Sequence, residues 1–432
     1  MAILSHVTDN ASKKNTSKPL RILVGVGGGI AAFKAAHLVR YFTERGHNVH
    51  VVPTESALNF VGVATWEALS GNPVSTTVWD DVSGVQHVRL GQEADLIVVA
   101  PATADLMARL RMGRADDLLT ASCLVATCPV VIAPAMHTEM WENPATQDNV
   151  ATLRSRGITV LEPAHGRLTG KDSGPGRLPE PDHIGALALA AHAQPGIFHQ
   201  DLVGTRVVVT AGGTHEELDP VRFLGNASSG RQGYALADVA AQRGADVHLI
   251  AGHTEDLPTP SGARVTRISS ALELKDATEQ AAREADVVIM AAAVADYRPA
   301  QQADSKLKKG GEDQLEVIEL VENPDILAGL VELRRAGELP EGLRIVGFAA
   351  ETGDSESTPL EHAQRKFLRK GCDLLMANAV GRGKVFGQED SAGWLITNPS
   401  GSDNPEALEV REVPAGHKLE VAGAILNALP NT

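Results

Sequence analysis

The sequence predicts an α/β protein of two doubly wound domains, each built on a mainly parallel sheet. Three observations carry this. Short apolar runs, Ile22–Gly25 and Val49–Val52 first among them, alternate with stretches of helical periodicity. Two runs break into glycine turns that lead on to helices, at Gly27–Gly29 and at Gly212–Gly213. The segment EADLIVVAPATAD at 93–105 is echoed by EADVVIMAAAVAD at 284–296. The shared grammar of doubly wound sheets explains this echo better than duplication does.

Residues 1–19 hold no long apolar segment and read as a disordered tail. The first domain is expected over 20–193. It opens with the strand Ile22–Gly25, the turn Gly27–Gly29 and a helix from Ile30 to Arg40. Gly46 closes that helix before a strand at Val49–Val52. Further strands are expected at Glu93–Ala100 and Val130–Ala133. The stretch 165–182 is rich in Gly, Pro and polar residues and reads as a mobile loop, with a helix over 184–193. Gln194, Pro195 and Gly196 open a linker over 194–201. The second domain, 202–432, repeats the order: strand Arg206–Ala211, turn Gly212–Gly213, helix Tyr234 to Arg243, strand Val247–Ile250. In such sheets ligands gather beyond the carboxyl ends of the strands. Chemistry is therefore expected in 25–30, 53–56, 100–105, 133–141, 211–216, 291–298 and 347–352.

Composition narrows the function classes. The 432 residues are 43% hydrophobic and 22% charged with only 3% aromatics, so the core is expected to be aliphatic and alanine-rich. No apolar run approaches the ~20 residues that cross a bilayer, which argues against a membrane protein. A net charge of −15 does not suit nucleic-acid binding, and any anionic ligand needs a local basic pocket. The cysteines, Cys123, Cys128 and Cys372, form no CxxC pair. They suit a reducing cytoplasm rather than a disulfide framework or a zinc site.

Chemistry begins at the first glycine turn. Glycines after a strand let a phosphate approach the amides at a helix start. The G-x-G-x-x-G pattern is not cleanly met, so a mononucleotide and a dinucleotide both stay open. His87, in SGVQHV just before a strand, reads as structural or catalytic. APATAD at 100–105 brings a hydroxyl and a carboxylate to the ligand edge. PAMHTEMW at 134–141 reads either as a core helix that holds a histidine or as a pocket wall that needs His137.

VGGGIAAFK, the His87 context, APATAD, DLLTASCL, PAMHTEMW and GPGRLPEP stand in one order over roughly residues 20–190. Together they resemble the FMN-dependent cysteine decarboxylases, and within them the decarboxylase half of the bifunctional coenzyme A biosynthesis family. The resemblance implies a flavodoxin-like, Rossmann-like domain with FMN held around Gly28, Gly29, Ile30, Thr54, Ala102, Thr103, Ser122 and Met136. In that family FMN oxidises the thiol of 4′-phosphopantothenoylcysteine to a thioaldehyde, CO₂ leaves, and the reduced flavin returns the electrons. His87 corresponds to a histidine that helps remove a proton as the thiol is oxidised. His137 stands where the family commonly has an asparagine that contacts the substrate carboxylate. An imidazole can still donate there, and it adds charge when protonated. The flap HGRLTGKDSGPGRLPE departs further, because it lacks the cysteine that in the family protonates the enethiolate. Lys171, Asp172, His137 or water are the candidates for that proton. A first domain that binds flavin but is regulatory or half-active is the alternative this departure supports.

In the second half, TAGGT, DPVRF and NASSGRQG form a dense polar and glycine cluster over 210–233, with Ser228 and Ser229 as candidate helix caps. KLKK at 306–309 reads as a solvated face or as a phosphate contact. Lys366 and Lys370 share one helix face after GFAAET at 347–352, and lysines from two segments suit a triphosphate. These lysines, with the imperfect glycine fingerprint, argue against an NAD(P) oxidoreductase of two Rossmann domains. The motifs TAGGT, DPVRFLGNASSGRQG, AAVADYRP, KLKK, ENPDIL, VGFAAET and KxxxK resemble the phosphopantothenate–cysteine ligase half of the same family. The resemblance implies that CTP activates 4′-phosphopantothenate to an acyl-cytidylate and that the amine of L-cysteine then attacks. Mg²⁺ would be held mainly by the CTP phosphates, with no dedicated protein site. Arg222 and Asn226 would contact the phosphate and acyl group. Met290, Ala291, Ala292, Asp296, Lys306, Asn323, Pro324, Asp325, Ile326, Phe348, Lys366 and Lys370 would surround CTP, Lys306 also stabilising charge during acyl transfer. Ligase domains of this family dimerise and decarboxylase domains trimerise, which implies a homo-oligomer as large as a dodecamer.

Overall fold

The computed structural model describes residues 18–79, 85–168, 172–306, 317–351, 357–379 and 390–429. The first unit runs β1 (Arg21–Val26), α1 (Ala32–Glu44), β2 (Asn48–Pro53), α2 (Val63–Ser70), α3 (Gln86–Glu93), β3 (Leu96–Ala102), α4 (Ala104–Met112), α5 (Leu118–Leu124), β4 (Val130–Pro134), α6 (Thr138–Trp141), α7 (Pro144–Ser155) and β5 (Thr159–Val160). Its strands lie parallel in the order β2-β1-β3-β4-β5. Helices cover both faces, so every residue of β3 is buried and reads as one apolar run. That strand starts at Leu96, because Glu93 closes α3 rather than opening the strand.

The stretch 165–182, expected as a loop, is instead an antiparallel hairpin of β6 (Ala164–Arg167) and β7 (Ser173–Arg177), followed by the first residues of α8 (Pro181–Ala193). Glycines face each other across it at Gly166 and Gly174. They leave no side-chain alternation by which a strand could be read.

The second unit runs β8 (Arg206–Ala211), β9 (His215–Asp219), β10 (Arg222–Gly225), α9 (Arg231–Gln242), β11 (Asp246–Ala251), β12 (Ala263–Arg267), α10 (Ala271–Ala282), β13 (Val287–Met290), β14 (Tyr297–Pro299), β15 (Leu320–Glu322), α11 (Ile326–Arg335), β16 (Arg344–Glu351), α12 (Pro359–Lys370), β17 (Leu374–Ala379), β18 (Asp390–Thr397), β19 (Glu409–His417) and α13 (Lys418–Leu426). The sheet order is β12-β11-β8-β13-β16-β17-β18-β19, parallel as far as β17 and antiparallel beyond. Two short ribbons, β9/β10 and β14/β15, stand beside it. Ser228 and Ser229 do not cap α9. Its first turn follows Gly230, at φ 77°, with no side-chain cap. Only glycine takes that φ without strain, and α9 passes so close to Thr254 that a side chain there would collide with it.

The two units share a core. One cluster runs from Ile22, Val24 and Leu38 through Ile184 and Leu187 of α8 to Leu236 and Val239 of α9 and Ile425 of α13. Segment 194–201 is packed within it, with Ile197 and Phe198 buried. Across the junction His183 meets Asp238 at 2.9 Å and the Glu162 amide donates to Gln242 Oε1 at 2.9 Å. Among the described residues no helix is long and apolar enough to cross a membrane.

Candidate active sites at the two sheet edges

In the first sheet the chain leaves β1 toward β2 and returns to β3, so the crevice opens between the carboxyl ends of β1 and β3. Gly27 and Gly28 make that crevice possible. A Cβ on Gly27 would lie 2.5 Å from the Pro101 carbonyl, and one on Gly28 would fall on Ser56. The Gly27 amide donates to Pro101 O at 3.0 Å, and the Thr54 amide to Val26 O at 2.9 Å. Thr54 and Thr103 cap the helical segments after β2 and β3, accepting from Ala57 N at 3.3 Å and Leu106 N at 3.2 Å. Each hydroxyl keeps a proton to donate outward. Ile30 and Phe33, 74% and 55% exposed, form an apolar shelf after the turn. Gly28, Gly29, Ile30, Thr54, Ala102 and Thr103 thus come to one edge. Ser122 does not present its hydroxyl there: it is fully buried, donates to Leu118 O at 2.7 Å, and packs against Gly91 of α3.

His87 is the second residue of α3, half-buried. Its Nδ1 is buried and has no hydrogen-bond partner among the described residues. An unpaired buried polar atom costs about 1–3 kcal/mol, which a ligand can relieve. Val85 just before it has φ 44°, a strained backbone for a β-branched residue.

PAMHTEMW divides between core and surface. Trp141 is 6% exposed and anchors α6 in the core. His137 is exposed at the helix start, and its carbonyl accepts from Met140 N and Trp141 N at 3.0 Å each. The flap lies on this segment. The Met136 amide donates to Gly176 O at 2.9 Å and Thr138 Oγ1 to Pro175 O at 2.8 Å. Gly176 is required here: a side chain would meet the Met136 carbonyl. At the flap's root Lys34 bonds Glu180 at 3.0 Å. Asp172 is exposed, whereas Lys171 lies outside the described residues. Burial pushes the Cys123 thiol up to about 12 and raises Cys128 as well, so both stay protonated. They lie on α5 and before β4, outside the flap.

In the second sheet a cleft of about 480 Å³ opens beyond β13 and β16. Met290, Ala292, Asp296, Asn323, Pro324, Asp325, Ile326, Phe348, Lys366 and Lys370 line it. Ala291 and Lys306 are outside the lining. Lys306 is exposed, and the rest of KLKK lies outside the described residues. Asn323 fixes one wall, its amide donating to Asp296 O at 2.8 Å and its Nδ2 to Ala295 O at 2.9 Å. Lys366 reaches Glu351 at 2.9 Å and Lys370 is paired with Asp325. Burial opposes ionisation of Asp325, but Lys370 and the Ala328 amide outweigh it and hold the carboxyl below its usual range. Both lysines are countered by carboxylates that a stronger anion can displace.

The glycine cluster stands beside this cleft and is joined to its lining residue Val294. A Cβ on Gly213 would lie 2.6 Å from Asn226 O, and one on Gly233 2.5 Å from Ala211 Cβ. Asn226 Nδ2 donates to Val294 O at 2.9 Å, which joins this loop to the segment after β13. Thr210 and Thr214 hydroxyls accept from Ala292 N and Ala295 N at 3.1 and 3.0 Å. Arg222 is oriented by the buried Asp219, to which Nε donates at 2.9 Å and Nη2 also bonds. The uncapped start of α9 leaves amides facing the same loop. Phe223 belongs to DPVRF but His215 and His253 to no motif, and the three rings stack beside the loop. Only sheet order brings them together, so no sequence spacing could have pointed to them. Among the described residues no group of three or more His, Cys, Asp or Glu side chains is placed to hold a metal.

Residues 10–191 match the family described as Flavoprotein, and residues 202–431 match the DNA/pantothenate metabolism flavoprotein C-terminal domain. The chain is 58% identical over 411 residues to the Coenzyme A biosynthesis bifunctional protein CoaBC of Mycobacterium tuberculosis, covering 95% of this chain and 96% of that one. The protein of the same name from Vibrio cholerae is 44% identical over 375 residues, 86% of this chain and 90% of the relative. Among solved structures, the C-terminal domain of a Coenzyme A biosynthesis bifunctional protein CoaBC is 34% identical. It covers 52% of this chain and 94% of that one, with a TM-score of 0.40.

Proposed function

The chain belongs to the family of coenzyme A biosynthesis bifunctional proteins, flavoprotein decarboxylase joined to ligase, and on that premise we propose how each sheet edge works. Residues 202–432 ligate L-cysteine to 4′-phosphopantothenate at the expense of CTP. Residues 20–193 then decarboxylate the product with FMN to give 4′-phosphopantetheine. The protein works in the cytoplasm as a homo-oligomer of ligase dimers and decarboxylase trimers.

The observation that carries the ligase reading is the cleft in which Asp296, Asn323 and Phe348 meet two countered lysines. The cytidine lies against Met290, Ala292 and Phe348. Its triphosphate, with Mg²⁺, draws Lys366 and Lys370 away from Glu351 and Asp325. 4′-Phosphopantothenate lies on the Asn226 and Arg222 side, so that its carboxylate attacks the α-phosphorus and pyrophosphate leaves. Lys306, on the adjoining segment, counters the charge that develops. The cysteine amine then attacks the acyl carbon and CMP departs.

In the first unit the residues fit a flavin. The glycine turn leaves amides open to a phosphate, Thr54 and Thr103 offer hydroxyl protons, and Ile30 with Met136 offers apolar surface. When bound there, FMN supplies the reversible two-electron oxidation of the substrate thiol. His87 takes the thiol proton. His137, at the end of β4 under the flap, donates to the carboxylate that leaves as CO₂. Asp172 or His137 returns the proton that a flap cysteine provides elsewhere in the family. Ser122 contributes packing, since its hydroxyl is engaged by Leu118.

Pyrophosphate release from CTP and 4′-phosphopantothenate, with cysteine left out, tests the ligase reading in single turnover. A burst of about one equivalent per site is expected, and no burst would reject the acyl-cytidylate route. Mass spectrometry of the flavin released on denaturation distinguishes FMN from other flavins.

A further inference from the structure

The ring of His215, on β9, lies between two others. Phe223 of β10 is 3.7 Å away at 13°, and His253, just after β11, is 3.5 Å away at 9°. The outer rings are 6.5 Å apart, so the three form one column. Backbone bonds fix it. The amides and carbonyls of Gly213 and His253 bond each other at 2.9 Å both ways, and His215 N donates to Ser269 O at 2.9 Å. Gly225 leaves room for the central ring, because a Cβ there would lie 2.8 Å from His215 Cδ2. Gly213, against the column, also abuts Asn226, on the side of the cleft away from Lys366 and Lys370.

The surroundings leave the column to set its own charge. His253 Nε2 contacts the Ser269 hydroxyl at 3.0 Å, a neutral partner. On β9, Glu216 is buried and accepts from Ala271 N at 3.0 Å, and Glu217 accepts from Gln302. From β12 and α10, Arg267 reaches the Thr254 hydroxyl at 3.5 Å and Glu273 accepts from Ser269 N at 2.7 Å. From α9, Arg231 is paired with Glu255 at 2.7 Å, and across the hairpin Arg222 is held by Asp219. Face-to-face imidazoles cannot both be charged without strong repulsion, so the pair carries no proton charge or one. Burial first, then His253, pushes His215 below the usual histidine range.

We propose that His215 and His253 form a protonatable determinant of substrate affinity in the ligase site, taking up one proton when a phosphate-monoester acid binds on the Asn226 side. Phe223 keeps the rings flat and faces the imidazolium that forms. The proposal rests on the ligase reading given above and adds to it a group that senses the charge of the substrate.

Calorimetric binding of 4′-phosphopantothenate at pH 7.5, in two buffers of different ionisation enthalpy, counts the protons taken up. At that pH the phosphate is already mostly dianionic, so uptake belongs to the protein. The wild-type protein is expected to take up about 0.5–1 proton. Unphosphorylated pantothenate should give close to zero. His253→Phe and His215→Phe preserve stacking and should abolish the uptake, with affinity for the acid about tenfold weaker. His253→Gln serves if either phenylalanine variant misfolds. Binding of the acid without proton uptake, or uptake unchanged in the variants, would overturn the proposal while leaving the ligase reading intact. No binding of the acid together with no pyrophosphate release from CTP would overturn both.

Discussion

At the scale of the residue, the sharpest expectation concerns His137. Its imidazole is exposed at the end of β4 beside the flap, where the proposed reaction calls for one hydrogen-bond donor to the substrate carboxylate. An amide can meet that requirement. His137→Asn should therefore keep decarboxylation within about threefold, and His137→Ala should lower it about 10²-fold with ligation unchanged. Separate assays of the two half-reactions check this, and an alanine variant with normal decarboxylation would sink the assignment. Lys370→Ala should raise KM for CTP about tenfold or more, because it would remove the proposed phosphate contact and leave the Asp325 charge uncountered in the cleft. An unchanged KM would place the triphosphate elsewhere. The two lysines were legible from their spacing on one helix. Where the Ser122 hydroxyl points was not legible, because tertiary packing turns it inward onto Leu118 O.

At the scale of the element, two glycine-bearing segments decide whether the first site can assemble. A side chain at Gly28 would fall on Ser56, so Gly28→Ala should push the β1 turn away from the segment after β2. The purified variant should carry less than about a tenth of the wild-type flavin absorbance, consistent with an ill-fitting contact of a few kcal/mol. Full flavin content would exclude the turn as the binding element. Gly176 has φ 131°, and a Cβ on it would meet the Met136 carbonyl. Gly176→Ala should displace the flap and slow decarboxylation about tenfold or more, while pyrophosphate release stays as in wild type. Equal rates would mean that the flap's docking on PAMHT has no part in catalysis. The strand ends that carry both sites were legible from apolar runs followed by glycine or Ala-Pro. The flap hairpin was not, since glycine in both strands and proline in β7 conceal their pairing. The start of α9 was misread because nearby serines suggest a cap, whereas the backbone there turns through a left-handed glycine.

At the scale of the whole molecule, the two units are joined by more than a linker. His183 of α8 and Asp238 of α9, 7% and 6% exposed, meet at 2.9 Å in the junction. Burial opposes a charge on His183, but Asp238 and, less strongly, Glu180 outweigh it and raise the imidazole above its usual value. Its contribution to stability is thus fully present below the unfolded value near about 6.5 and is lost as pH rises through the folded value. Asp238→Asn should accordingly lower Tm by about 3 °C or more at pH 6, and by clearly less at pH 9. An equal loss at both pH values would show that the charge on His183 does not matter to the docking. No motif announces this pair, because its members come from different domains and only the packed core brings them into contact. The measurement that bears most directly on the account as a whole is a mass spectrum of the products formed from 4′-phosphopantothenate, L-cysteine, CTP and Mg²⁺ by the purified protein. Accumulation of 4′-phosphopantetheine is predicted: both units would then be active, and the flap would need no cysteine. A reaction that stops at 4′-phosphopantothenoylcysteine would contradict the account and leave the first unit a flavin-binding partner of a working ligase.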